Sequence, residues 1–300
     1  MGIFEYGEGS TRMNNTRNGH EINPPIVVIS WWSNCLALAC LHRLTQFTGE
    51  REIILVQVGK LDEQKKKLRQ LLPKRIVELE YPLEFPAEHS RVIRFIVKEA
   101  LSQESGLWFV DHDLLLLEAA ENWLRHVETD FDISDRILAL PKYEKRTPSI
   151  TIPLFWVSPV RWPHYLEGFD PVPFKAQLSS KHPYEHSSEF SLRLPRMDTL
   201  EQACAILGEE ERVAFFPMRE NLNVNLPTFP SHYHLGGLNL FSFSLPKSMQ
   251  GLNPSLQNWI LRTTMDFSKF FNDCPKEWLA IEDPVLLNRL LDYQEIINDH

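Results

Sequence analysis

The feature that most constrains this chain of 300 residues is a strict order of short apolar runs and amphipathic segments between residues 26 and 113. Ile26-Val27-Val28-Ile29-Ser30 is β-branched, short and preceded by Pro24-Pro25, the signature of a strand buried on both faces. Ser33 or Asn34 then caps a helix over residues 35–47, with leucines at 36, 38, 41 and 44 and Gly49 as its stop. A second strand is expected over 52–58, a helix over 62–72 with Lys65, Lys66 and Lys67 on its solvated face, and a third strand over 75–80. Ser90 opens a helix carrying Val92, Ile93, Ile96 and Val97, and Leu107-Trp108-Phe109-Val110 is a fourth strand. Alternation of this kind implies a parallel sheet with right-handed crossovers. It also puts ligands beyond the carboxyl ends of the strands. The fourth strand ends there, in Asp111-His112-Asp113.

Beyond residue 135 the alternation fades. Strands are expected over 137–140, 150–158 and 212–216, a short helix over 198–207, and a proline-, aromatic- and histidine-rich irregular stretch over 159–196. From about 253 onward the chain reads as helical. Its Trp259, Phe270, Phe271 and Trp278 either pack back on the domain or give a homodimer face. The reading is a polar arm over 1–23, one α/β domain over 24–245 and a helical extension over 246–300.

Charge and cysteines narrow the partners. A net charge of −9 removes the positive field that non-specific nucleic-acid or anionic-membrane binding needs. The longest apolar stretch, residues 26–41, is interrupted by Ser30, Ser33 and Asn34 and is too short for an integral membrane segment. The residues at the N-terminus show no apolar signal-peptide core, and Cys35, Cys40, Cys204 and Cys274 lack metal-knuckle spacing. The expectation is a cytoplasmic protein with reduced thiols. No GxGxxG, GxxxxGK[ST], GxSxG or HExxH pattern occurs.

Two clusters carry chemistry. Asp111 and Asp113 flank one residue at a strand end, an arrangement suited to a hard divalent cation, Mn²⁺ or Mg²⁺, and the diphosphate that travels with it. The competing reading is that Asp113 caps a helix over 114–127 and Asp111 is a turn residue. In Ser231-His232-Tyr233-His234-Leu235-Gly236-Gly237, two histidines point the same way on a strand, and either can complete a metal site with the acids. A hydrogen-bonded surface pair is the alternative.

The order of these features resembles the GT-A glycosyltransferases, the family-2-like group in particular. Residues 26–60, IVVISWWSNCLALACLHRLTQFTGEREIILVQVGK, resemble that family's opening strand, helix and second strand, and WFVDHD falls where it has its D-x-D strand end. Leu166-Glu167-Gly168-Phe169-Asp170 is similar to the family's acceptor-region motif, and Glu189-Phe190-Ser191-Leu192-Arg193-Leu194 to the end of its acidic helix. The likeness covers residues 25 to about 240. It implies a GT-A-like α/β fold with a mostly parallel sheet. It also implies transfer of a sugar from a nucleotide-diphospho-sugar donor to an unknown acceptor. Asp111 and Asp113 then hold the metal with His234 or His232. Ser30, Trp31, Trp32 and Lys60 lie at the nucleotide pocket, and Glu189, then Asp170, is the candidate base. The chain departs from the family after the second strand, where Gln57-Val58-Gly59-Lys60 replaces an acidic pair. A glycosyltransferase-like module without turnover, acting by binding, is the rival reading. A metal-dependent phosphoesterase using DHD and HYH is a third, short of ligands for two metals.

Overall fold

The computed structural model describes residues 16–17, 20–21, 23–31, 33–60, 62–82, 92–93, 95–97, 106–129, 137–139, 154–157, 213–215, 229–236, 249–252 and 254–299. Within the N-terminal arm, β1 (Thr16–Arg17) pairs antiparallel with β2 (His20–Glu21). The main sheet contains β3 (Ile26–Ser30), β4 (Ile53–Gln57), β5 (Ile76–Glu80), β6 (Leu107–Asp111), β8 (Ile137–Ala139), β9 (Leu154–Val157) and β10 (Val213–Phe215). Its seven strands run in the order β10-β8-β9-β6-β3-β4-β5. β9 is antiparallel to both neighbours, and the other adjacent pairs are parallel. The fold is therefore α/β with a mostly parallel sheet.

The apolar runs explain why both faces are covered. Along β3, Ile26 and Val28 enter one core with Leu38, Leu41 and Leu44 of α1 (Asn34–Phe47). Val27 and Ile29 enter the other, with Val92, Ile93, Ile96 and Val97. Helix α1 starts one residue earlier than expected, and Ser33 caps it by accepting from the Leu36 amide at 3.1 Å. Helix α2 (Asp62–Arg69) stops three residues short of its expected end.

The largest departure follows the fourth strand. No single helix runs through 114–127. Leu114–Leu116 forms β7, paired antiparallel with β11 (His232–His234), and helix α3 spans Glu121–Thr129. The leucine run has helical propensity, but pairing Leu114 with His234 and Leu116 with His232 overrides it. Of the strands expected over 150–158 and 212–216, the described residues 154–157 and 213–215 are strand. The helix expected over 198–207 lies outside the described residues.

At the amino ends of the strands, buried Arg51 locks β3, β4 and α3 together. Its guanidinium donates to Glu121 at 2.7 Å, to Glu128 and to the Pro24 carbonyl, and the Trp108 indole also donates to Glu128. Helices α4 (Pro254–Asp273), α5 (Lys276–Leu279) and α6 (Pro284–Asn298) form a third core. There Ile260, Phe267, Phe271, Leu286, Leu290 and Tyr293 enclose Cys35 and Leu36 of α1 and Leu235 beyond β11. No described helix is long and apolar enough to cross a membrane.

Candidate metal centre at the carboxyl end of the sheet

The chain passes from β3 outward through β4 to β5, then returns to β6 on the other side of β3. Such a reversal opens a crevice between the two strands at their carboxyl ends. Register places Ile29 opposite Asp111 and Ser30 opposite Gln57, so these ends are level. Asp111, the last residue of β6, therefore stands at the crevice.

Asp113 is brought back to the same point by the tight turn from β6 into β7. The β7–β11 ladder then delivers His234. One ligand atom each from Asp111, Asp113 and His234 lie within 4.8 Å of one another. His234 Nε2 is 3.2 Å from Asp113 Oδ1. The Gly236 amide donates to Asp113 Oδ2 at 3.1 Å, and the Leu235 amide donates to its backbone carbonyl. Gly236 has φ +56°, which turns that amide inward and which a side chain rarely permits. Burial works to raise the Asp113 carboxyl. The facing His234 charge and hydrogen bond outweigh it and hold the group well below the usual carboxylate range.

His112, between the two acids, points the other way. Its Nδ1 donates to the Ile29 carbonyl at 3.1 Å, which fixes the tautomer and ties the turn to β3. Burial pushes its pKa down to about 4, so the ring is neutral, and Nε2 is buried with no hydrogen-bond partner among the described residues. The Cys40 thiol donates to the Asp111 carbonyl at 3.8 Å, so α1 braces the turn from beneath.

The remaining expected residues are placed as follows. His232 shares β11 with His234, but its Nδ1 donates to the Pro230 carbonyl and its ring packs on Phe229, outside the three-residue group. Ser30 is buried, accepting from Lys60 Nζ at 2.9 Å and donating to the Trp31 carbonyl at 3.3 Å. Lys60 is buried as well and also donates to Asn34 Oδ1 at 2.8 Å. Trp31 is half-buried against the second core. Trp32, Asp170 and Glu189 lie outside the described residues.

Sequence reasoning missed the carboxylate that organises the N-terminus of α1. Glu282, buried between α5 and α6, accepts from the Ser33 hydroxyl at 2.6 Å and from the Asn34 and Cys35 amides at 2.7 and 2.9 Å. It sits on the positive end of the α1 dipole. Asn34 then links it to Lys60, and donates through Nδ2 to the Ile281 carbonyl. Nothing in the local sequence marks Glu282, whose partners lie about 250 positions away.

Two carboxylates and one imidazole fit a divalent cation that accepts oxygen and nitrogen ligands, Mn²⁺ more readily than Mg²⁺. With Asp113 Oδ2 taken by the Gly236 amide, Oδ1, 3.2 Å from His234 Nε2, is the oxygen such an ion would meet.

No family model matches the chain, and no curated protein matches it. Several solved structures are similar to it. Glycosyltransferase GlyE of Streptococcus pneumoniae is 12% identical, over 88% of this chain and 65% of that one, with a TM-score of 0.45. The WbbM bifunctional glycosyltransferase is 12% identical, over 68% and 40%, at 0.43. The galactosyltransferase LgtC, solved with donor and acceptor sugar analogues, is 11% identical, over 66% and 75%, at 0.40. The chain thus spans less than two thirds of the length of the first two.

Proposed function

We propose that the chain is a metal-dependent glycosyltransferase that moves a sugar from a nucleotide-diphospho-sugar to an acceptor hydroxyl. The observation that carries this reading is the meeting of Asp111, Asp113 and His234 at the carboxyl end of β6, beside the strand-order reversal. Asp111, Asp113 and His234 would hold Mn²⁺ or Mg²⁺. A cation there supplies positive charge to the departing diphosphate, the electrostatic contribution that dominates such transfers. The likeness of residues 26–60 and of WFVDHD to the GT-A opening points the same way.

The chain's own groups divide the remaining work. His112 holds the turn so that both acids face one point, and Gly236 fixes Asp113 by its amide. Trp31 borders the nucleotide side, with Trp32 beside it in sequence. Ser30 and Lys60 stiffen the crevice floor through their mutual hydrogen bond. Deprotonation of the acceptor requires a carboxylate, for which Glu189 is the first candidate and Asp170 the second.

The test is a thermal-shift panel of UDP, GDP, CDP, TDP and their sugars, with and without Mn²⁺, on the wild type and on Asp111→Asn and Asp113→Asn. Ligand at 100 times its Kd stabilises the folded state by roughly 2.7 kcal/mol. The expected result is a metal-dependent rise for one nucleotide, absent in both variants, with transfer to an acceptor reduced at least ~100-fold. A wild type that no nucleotide shifts in the presence of metal refutes the transferase and leaves the binding module in its place.

A further inference from the structure

Residues 31–33 join β3 to α1 at the carboxyl end of β3, beside the strand-order reversal, and buried side chains hold this link at both ends. At its start, the Ser30 hydroxyl donates to the Trp31 carbonyl at 3.3 Å. At its end, the Ser33 hydroxyl and the Asn34 amide donate to Glu282 at 2.6 and 2.7 Å. Lys60 joins the two anchors: its ammonium donates to Ser30 Oγ at 2.9 Å and to Asn34 Oδ1 at 2.8 Å. One continuous path of hydrogen bonds thus runs from Glu282 through Asn34, Lys60 and Ser30 to the Trp31 peptide.

The ammonium gives this path its direction. It can only donate, so Ser30 Oγ and Asn34 Oδ1 both accept from it. That turns the Ser30 proton toward the Trp31 carbonyl and leaves Asn34 Nδ2 to donate to the Ile281 carbonyl. Local backbone delivers the lysine: the Val58 amide donates to the Ser30 carbonyl at 2.9 Å, and Gly59, at φ +67°, folds the chain back toward the end of β3. Burying an ammonium on neutral oxygens costs stability relative to an apolar side chain of similar length. What Lys60 supplies is therefore geometry.

We propose that Lys60 is a positioning residue for the nucleotide end of the donor. Held by Asn34 and Glu282, it fixes Ser30 and thereby the Trp31 peptide that borders the nucleotide side. Ser30, Asn34, Lys60 and Glu282 are all buried, so they act on a bound nucleotide through Trp31 rather than by contact. The C-terminal helices, through Glu282, then set nucleotide affinity, while Asp113 of the metal centre is held by a separate set of contacts from His234 and Gly236. The proposal rests on the sugar-transfer reading, which supplies the nucleotide.

The test compares full-length Ser30→Ala, Lys60→Met and the double variant with the wild type in two titrations. One uses Mn²⁺ alone; the other uses UDP, GDP, CDP or TDP at saturating Mn²⁺. Each single variant is expected to bind the nucleotide about 10-fold more weakly. The double variant should bind no more weakly than either single one, because both substitutions cut the same path, and Mn²⁺ affinity should stay within about twofold in all three. Gly106→Ala, whose clash lies at the amino end of β6, controls for lost stability and should keep the wild-type nucleotide affinity. Ser30→Ala removes a single hydroxyl and decides the matter alone if Lys60→Met folds poorly. Unchanged nucleotide affinity in Ser30→Ala, full additivity in the double variant, or an equal loss in Gly106→Ala overturns the positioning role and leaves the transferase standing. A wild type that binds none of the four nucleotides overturns both.

Discussion

Lys60 is a lysine whose named partners, Ser30 and Asn34, are neutral oxygens. Burial pulls its pKa down to about 8, against the attraction of Glu282, Asp283 and Cys35. Below pH 8 both folded and unfolded chains carry the proton, and the full desolvation cost is present. Between about 8 and 10.5 the unfolded chain holds more protons, so stability rises with pH across that window. The gain should reach about 3 kcal/mol. Urea unfolding of the wild type and Lys60→Met through this range checks it, and a wild-type-minus-variant difference that stays flat with pH refutes the buried charge. Gly106 gives a steric prediction. A Cβ there would lie 1.9 Å from the Trp156 ring, which is itself packed on Trp108 with centroids 5.1 Å apart. Gly106→Ala should cost about 3 kcal/mol, seen as a lower denaturation midpoint with unchanged slope. At this scale the sequence exposes Asp111 and Asp113, because a strand-end D-x-D is a local pattern. It does not expose the role of Lys60, whose partners come from β3 and α1.

Among elements, the N-terminus of α1 is held by a carboxylate supplied from the far end of the chain. Glu282 accepts from Ser33, Asn34, Cys35 and its neighbour Asp283. Glu282→Ala leaves these donors buried without an acceptor, at a cost of about 2–4 kcal/mol. Hydrogen exchange should quicken at the Asn34 and Cys35 amides and through α6, and Glu282→Gln should restore part of the protection. Unchanged exchange at those amides would show that the carboxylate does not hold the helix. The β7–β11 ladder teaches a different lesson about elements. Local leucine density over 114–117 favours a helix, and only a strand more than 100 positions later converts it to β7. With that helix goes the idea that Asp113 is merely its cap; the aspartate faces His234 instead. His232 and His234 share a residue type and a strand, but Pro230 holds one ring away while the ladder presents the other to Asp113.

For the whole molecule, the C-terminal helices are part of the interior. They bury Cys35, Leu36 and Leu235, which belong to the sheet's own helix and to the loop beyond the candidate ligand His234. A chain ending at residue 248 exposes that core and loses Glu282, so it is expected to elute as an aggregate or unfolded species in size-exclusion chromatography. A monodisperse, cooperatively melting fragment would contradict this. Sequence alone determined the strand–helix alternation, the parallel sheet and the acid-bearing strand end. Each follows from patterns a few residues long: buried β-branched runs, 3.6-residue periodicity and polar residues at element ends. Tertiary structure alone decided strand order, and with it the crevice between β3 and β6, since neighbouring in a sheet is a choice among distant partners. It also decided that His234 joins Asp111 and Asp113 and that Lys60 is buried. These contacts form because burying apolar faces brings remote segments together, and the energy for that is spread over the core rather than written at any one residue.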